Sequence, residues 1–184
     1  MVEMAIRTLP LSGAHGGSSS VRLETAPYAE RISLRVRAGD VSALSGALGV
    51  DLPAKPKTSA TANGRTALWL GPDEWLVIGD VGGGLMQAAA NSGVLHSATD
   101  VSHRNIAILV SGSGAAAAIN AGCPQDLSLN AFPVGACSRT IFGKIEIVLL
   151  RTAEDAFRVE VWRSFSEYAF GLLAEGARDA GLSG

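Results

Sequence analysis

The hydrophobic pattern becomes regular at Ile32-Ser33-Leu34-Arg35-Val36-Arg37, where apolar and polar residues alternate at period two. That alternation predicts a strand buried on one face. Asp40 stands where a helix N-cap is expected, and Val41, Leu44, Ala47 and Leu48 follow at helical spacing. Pro53 and Pro56 end this helix and open a polar loop from Lys55 to Arg65. Two short apolar runs come next, Ala67 to Leu70 and Trp75 to Ile78, with Gly71-Pro72-Asp73-Glu74 between them. Proline presets the backbone of a turn and aspartate tolerates its next position, so the runs form a hairpin. The run Gly82-Gly83-Gly84 frees the chain to enter a short helix, Leu85 to Asn91, with Gly93 in a C-capping position. A strand from His96 to Val101 completes the first unit.

The second half follows a similar order. Ile106 to Val110 reads as a strand, and Ser113 precedes an alanine-rich helix through Ile119 that Gly122 and Pro124 stop. Cys137 to Phe142 and Lys144 to Leu150 form a hairpin turning at Gly143, and Phe157 to Trp162 alternates cleanly as another strand. The longest helix runs from Ser164 to Ala180. Phe165, Tyr168, Ala169, Leu172, Leu173 and Gly176 recur on it at the spacing of a core stripe. Phe170 lies about 140° round the helix from Phe165, outside that stripe, which points either to a merely wide apolar face or to a protein interface.

Strands and helices alternate but hairpins are frequent, which argues for an α+β fold of antiparallel sheets with helices on one face. The expected organisation is a flexible N-terminal arm over residues 1–27 and one domain over 28–184. The domain is read as two pseudo-repeats, about 28–101 and 104–182. Ser12-Gly13 and Gly16 to Ser20 read as coil, with Leu9-Pro10-Leu11 as either an apolar island that docks in a groove on a partner or part of a frayed end.

Composition narrows the function classes. Of 184 residues 47% are hydrophobic and 17% charged, which excludes a disordered chain. Fifteen basic against seventeen acidic residues give a net charge of −2, not the basic surplus of a nucleic-acid binder. No apolar run is long enough to span a bilayer. No basic and then apolar leader pattern opens the chain, and Cys123 and Cys137 form no Cys-x-x-Cys. A cytoplasmic protein with two reduced thiols is the expectation.

The chemical motifs are weak. Gly112-Ser113-Gly114-Ala115-Ala116-Ala117 matches a dinucleotide fingerprint but lacks the later strand ending in an acidic residue, so an ordinary strand-to-helix turn is the better reading. Asp100-Val101-Ser102-His103-Arg104 holds the letters of a hydrolase triad. Neighbours in an extended chain point to opposite faces, which prevents a Ser102–His103 pair. His15, His96 and His103 are too scattered for a metal site. Trp69, Trp75 and Trp162 all fall in predicted strands, where core packing is the default.

Six strings occur in one order: Trp69 to Trp75, Asp100 to Arg104, Gly122 to Leu127, Phe132 to Thr140, Gly143 to Val148, and Phe157 to Phe165. From about Ala29 to the C-terminus this series resembles the gamma subunit of heterotetrameric sarcosine oxidase. The resemblance implies a shortened relative of the folate-binding aminomethyltransferase fold, with no catalytic, cofactor or metal residue of its own. It implies alpha, beta and delta subunits as partners. It also implies that FAD, FMN, NAD, tetrahydrofolate and zinc sit on those other chains. The implied complex oxidises sarcosine to glycine, passes the one-carbon unit to tetrahydrofolate and forms hydrogen peroxide. Asp73, Glu74, Asp100, His103, Arg104, Arg163 and Phe170 are then the candidate contacts to another subunit. Two other readings remain: the equivalent subunit of an N-methylglutamate dehydrogenase, and a free-standing folate-dependent aminomethyltransferase. The second is disfavoured because this chain is too short for such a protein's further barrel.

Overall fold

The computed structural model describes residues 10–11 and 13–182. Leu9 and Ser12, parts of the expected docking island and coil, lie outside the described residues. In chain order the strands are β1 (His15–Gly17), β2 (Arg22–Thr25) and β3 (Glu30–Val36), followed by α1 (Val41–Leu48). Next come β4 (Ser59–Ala62), β5 (Arg65–Gly71), β6 (Glu74–Gly79), α2 (Leu85–Ala90) and β7 (His96–Asp100). The second half holds β8 (Asn105–Ser111), α3 (Ala115–Asn120), β9 (Cys137–Phe142), β10 (Ile145–Ala153), β11 (Ala156–Trp162) and α4 (Ser166–Leu182).

Every pairing between these strands is antiparallel. One sheet has five strands in the order β4-β5-β6-β3-β7, and the other has six in the order β1-β2-β8-β11-β10-β9. Period-two alternation sends one face of each strand to its helices. Ile32, Leu34, Val36, Trp75 and Val77 meet Leu44 and Leu48 of α1 and Leu85 of α2. Ile108, Ile147, Leu149 and Val159 meet Ile119 of α3 and Leu173 of α4. The opposite faces pack on each other through Leu68, Leu76, Ile78, Val148 and Leu150. The result is helices, sheet, sheet, helices, with the helices on one face of each sheet.

Three local readings change. Residues 15–25, expected as part of a flexible arm, form β1 and β2, and β2 pairs with β8. Val21 and Leu23 are buried in the core. The glycines read as looseness instead permit close approach. Gly17 has φ +134°, and a Cβ there would collide with the Val21 carbonyl. The polar loop contains β4, an edge strand of small residues held by pairing with β5. Asp40 precedes α1, but its side chain makes no capping hydrogen bond, because residues 38–40 already form a 3-10 turn.

The stripe on α4 is buried only in part. Ala169, Leu173 and Gly176 are core residues, whereas Phe165 and Tyr168 are 40% and 43% exposed, because the first turn of the helix leaves the apolar core. Trp162, expected in the core, is 41% exposed at the end of β11. Phe170 is half-buried instead of presenting an open interface. Its ring lies 3.3 Å from where a Gly16 Cβ would stand, so β1 covers it.

Candidate functional site

The candidate residues gather where the chain crosses from the first sheet to the second. β7 ends at Asp100, a tight turn carries Val101 to Arg104, and β8 begins at Asn105. Val101 is buried, and its amide donates to the Arg31 carbonyl at 2.9 Å. Ser102 is also buried. Its hydroxyl donates to Asp100 Oδ1 at 2.5 Å and accepts the Arg31 amide at 2.9 Å. Asp100 Oδ1 also accepts the Ser102 amide at 2.9 Å, which closes a side-chain turn. His103 points the other way. It is exposed, with its ring 6.1 Å from that of Tyr28. Ser102 and His103 therefore do not form a nucleophile–base pair, and the cause is the tight turn that carries them instead of an extended strand.

Sequence reasoning missed the most buried polar feature. Arg31 on β3 and Glu160 on β11 face each other between the sheets, with Arg31 Nε 2.7 Å from Glu160 Oε2. Their side chains are 2% and 1% exposed. Arg158 supports Glu160 through its Nε at 2.8 Å, and Arg31 Nη1 donates to the Ala29 carbonyl at 2.9 Å. A buried charge is tolerated when it is paired and hydrogen-bonded; Arg31 and Glu160 pair with each other, Arg31 donates a further bond and Glu160 accepts one. The arrangement fixes how the two sheets sit but offers no open face to a substrate.

Asp73 and Glu74 are engaged within the chain as well. Arg35 reaches Glu74 Oε2 at 2.7 Å and Asp73 Oδ2 at 3.4 Å. Arg139, on the other sheet, pairs with Glu74 Oε1. At this edge the sheets also share main-chain bonds, with the Ser59 amide donating to the Gly135 carbonyl at 3.0 Å and the Cys137 amide to the Lys57 carbonyl at 3.1 Å. The Cys137 thiol donates to the Thr58 carbonyl at 3.1 Å. Burial pushes this thiol up to about 11, far from a reactive thiolate. Arg151 is lowered by burial, and its guanidinium donates to the Phe132 and Leu127 carbonyls. Asp126 is lowered by the Ser128 amide and hydroxyl.

The dinucleotide-like turn is filled by the protein itself. Gly112 has φ +112°, a Cβ there would collide with the Ser20 carbonyl, and the Gly114 amide donates to that carbonyl at 3.1 Å. The turn before β2 thus stands where a pyrophosphate would have to lie, and these residues do not fit a dinucleotide. Among the described residues no three His, Cys, Asp or Glu side chains sit together as a metal site. No described helix is long and apolar enough to cross a membrane. An open cleft of about 520 Å³ lies beside the crossover turn, lined by Tyr28, Glu30, Met86, Asp100 and His103 among others. Glu30 is committed there, accepting the Gly82 and Leu85 amides at 3.0 Å.

Residues 37–179 match the model of the sarcosine oxidase, gamma subunit family. The sarcosine oxidase subunit gamma of an Arthrobacter species is 32% identical over 163 residues, 86% of this chain and 80% of that protein. The protein of the same name from Corynebacterium sp. strain U-96 is 30% identical, with the same coverage. Among solved structures, a chain of heterotetrameric sarcosine oxidase from Corynebacterium sp. U-96, in complex with pyrrole 2-carboxylate, is similar at TM-score 0.88. The two are 26% identical, over 95% of this chain and 96% of that one. The glycine cleavage system aminomethyltransferase T of Bartonella henselae shares the fold at TM-score 0.65 and 16% identity, over 90% of this chain and half of that one. The layered α+β architecture, the ordered motifs and these likenesses agree: the chain belongs to the sarcosine oxidase gamma subunit family.

Proposed function

We propose that this chain is the gamma subunit of a heterotetrameric sarcosine oxidase, acting in assembly and stability and contributing no catalytic group. The observation that carries this reading is the match to a chain of such a heterotetramer along nearly the full length of both chains. The partners are alpha, beta and delta subunits. They carry FAD, FMN, NAD, tetrahydrofolate and zinc, and they oxidise sarcosine to glycine. Two features of this chain support the assignment. The glycine turn that resembles a cofactor cradle is filled by the turn before β2. Ser102, the only hydroxyl in the triad-like motif, is held in a structural turn. Asp73, Asp100, His103, Arg104 and Arg163 lie on loops and strand ends open to a neighbour, whereas Glu74 serves mainly to tie the two sheets together.

The test is to make Asp100→Asn, His103→Ala and Glu74→Gln in the co-expressed complex. Sarcosine turnover per flavin and the fraction assembled are then measured. General acid–base groups contribute about 100- to 10,000-fold to rate. The proposal expects turnover per flavin within about threefold of wild type, with any loss appearing in assembly. A loss of 100-fold in a fully assembled complex would overturn it.

A further inference from the structure

One surface combines the features of a binding hot spot and adjoins the crossover turn at Arg104. Trp162 ends β11, residues 163–165 form a 3-10 turn, and α4 starts at Ser166. Trp162, Phe165 and Tyr168 are 41%, 40% and 43% exposed. The Trp162 and Phe165 rings stack with centroids 6.1 Å apart. The Arg104 guanidinium lies over Trp162, 5.1 Å from its centroid. The Arg163 amide donates to the Arg104 carbonyl, so the crossover turn and the end of β11 form one unit. A cleft of about 570 Å³ opens beside them, lined by Pro10, Arg104, Trp162, Arg163 and Glu167 among others.

Charge gives the chemistry of the occupant. The chain as a whole carries a net −2, yet the cation over the aromatic ring at this cleft is Arg104. No ion pair among the described residues includes Arg104. Arg104 Nε donates to Asn105 Oδ1 at 3.3 Å, and stacking on the indole leaves its in-plane Nη donors for a carboxylate. Trp, Tyr and Arg are also the residues that dominate binding energy at interfaces.

We propose that the Trp162–Phe165–Tyr168 surface, with Arg104 and Arg163, docks an acidic segment of another subunit of the complex. A carboxylate of that segment pairs with Arg104, and an apolar side chain lies against the aromatic rings. This rests on the gamma-subunit reading above and adds to it the surface and the chemistry of the contact.

The experiment uses the full chain co-expressed with the other subunits, with purification through a tag on a flavin-bearing chain. Gamma content per flavin is measured for wild type, Arg104→Glu, Trp162→Ala and Trp162→Phe, and for Leu129→Ala, an exposed residue at the opposite end of the β10–β11 pair. Circular dichroism of each purified variant checks the fold. A photoreactive phenylalanine analogue at Phe165 then identifies the neighbour by mass spectrometry. The expected result is at least a tenfold loss of retained gamma for Arg104→Glu and Trp162→Ala, near-wild-type retention for Trp162→Phe and Leu129→Ala, and a cross-link to an Asp- or Glu-bearing peptide of another subunit. Normal retention of both disruptive variants overturns the proposal and leaves the gamma-subunit reading intact. So does a cross-link to residues 1–9 of the same chain or to a second copy of it. Failure of the wild-type chain to co-purify at all instead overturns the gamma-subunit reading.

Discussion

Helix α4 carries two glycines that should respond in opposite ways to the same added methyl group. Gly171 faces open space, and a Cβ there meets nothing within 4 Å. At Gly176 a Cβ would overlap the Ala118 carbonyl oxygen and stand 3.0 Å from the Ala121 Cβ, at the crossing with α3. Carbon contacts are optimal at about 3.5–4.0 Å, so the helices would have to separate by about 0.5–1 Å. Alanine in a helix interior is favoured over glycine by about 1 kcal/mol. Overpacking of a close-packed site costs about 1–3 kcal/mol. Gly171→Ala should therefore stabilise the protein by about 0.5–1 kcal/mol, and Gly176→Ala should destabilise it by about 1–2 kcal/mol. The separation of about 2 kcal/mol corresponds to about 4–8 °C in melting temperature for a domain of this size. Urea titration of the purified chain, followed by tryptophan fluorescence, measures both. If Gly176→Ala proves as stable as Gly171→Ala, the close approach of α3 and α4 is not what fixes this glycine, and the reasoning fails.

Three further outcomes follow from the space between the sheets and from the buried thiols. Glu160→Gln, which strands Arg31 in a site 2% exposed, should cost about 3–5 kcal/mol, whereas Arg158→Met, at the more exposed end, should cost about 1 kcal/mol; equal urea midpoints would refute the ranking. Because the Cys137 thiol rises in the folded state from 9.0 to about 11, its contribution is fully present below pH 9, falls as the unfolded thiol ionises and is lost by about pH 11. A loss on the order of 2–3 kcal/mol across that window should appear in wild type and vanish in Cys137→Ala, and parallel stability curves for the two would contradict it. Cys123 and Cys137, 2% and 0% exposed, should react with a thiol reagent at pH 8 only at the rate of unfolding, so rapid native-state labelling would show that the burial is wrong.

What could be read from the sequence tracks how strongly each segment repeats. β3, α1 and β11 carry clean periods, the β5–β6 hairpin is two apolar runs about a turn, and all lie close to where those signals put them. β4 is Ser-Ala-Thr-Ala, with no apolar face to detect, and only its pairing with β5 makes it a strand. β1 and β2 were hidden because glycine and serine signal looseness locally, while their role here is set by distant backbone at Gly112 and Phe170. The Arg31–Glu160 pair was invisible for a related reason. Polar positions alternating with apolar ones look solvent-facing, and the covering second sheet is a long-range fact. A signal did exist in the continuous apolar runs at 75–78 and 147–150, which mark strands buried on both faces. The exposure of Trp162 and Phe165 has no comparable signal, because periodicity places residues on a common face but does not say where that face leaves the core.

The strand order has a consequence for how the molecule is made. In the first sheet β3 lies between β6 and β7, and in the second sheet β8 lies between β11 and β2. β7 and β2 thus occupy equivalent seats, yet β7 follows its helix α2 in sequence, whereas β2 precedes everything it pairs with except β1. During synthesis β2 emerges early and has no partner until β8 appears, after the whole first sheet has been made. Val21 and Leu23 remain without their core during that interval. Such non-local closure slows folding, since the loop entropy is lost before any contact rewards it. The first unit can form as soon as β7 is out, while the second waits for the two ends of the sequence to meet. Gly181 of α4 comes to rest against Ser18, so a helix made after every described strand lies beside the turn before β2.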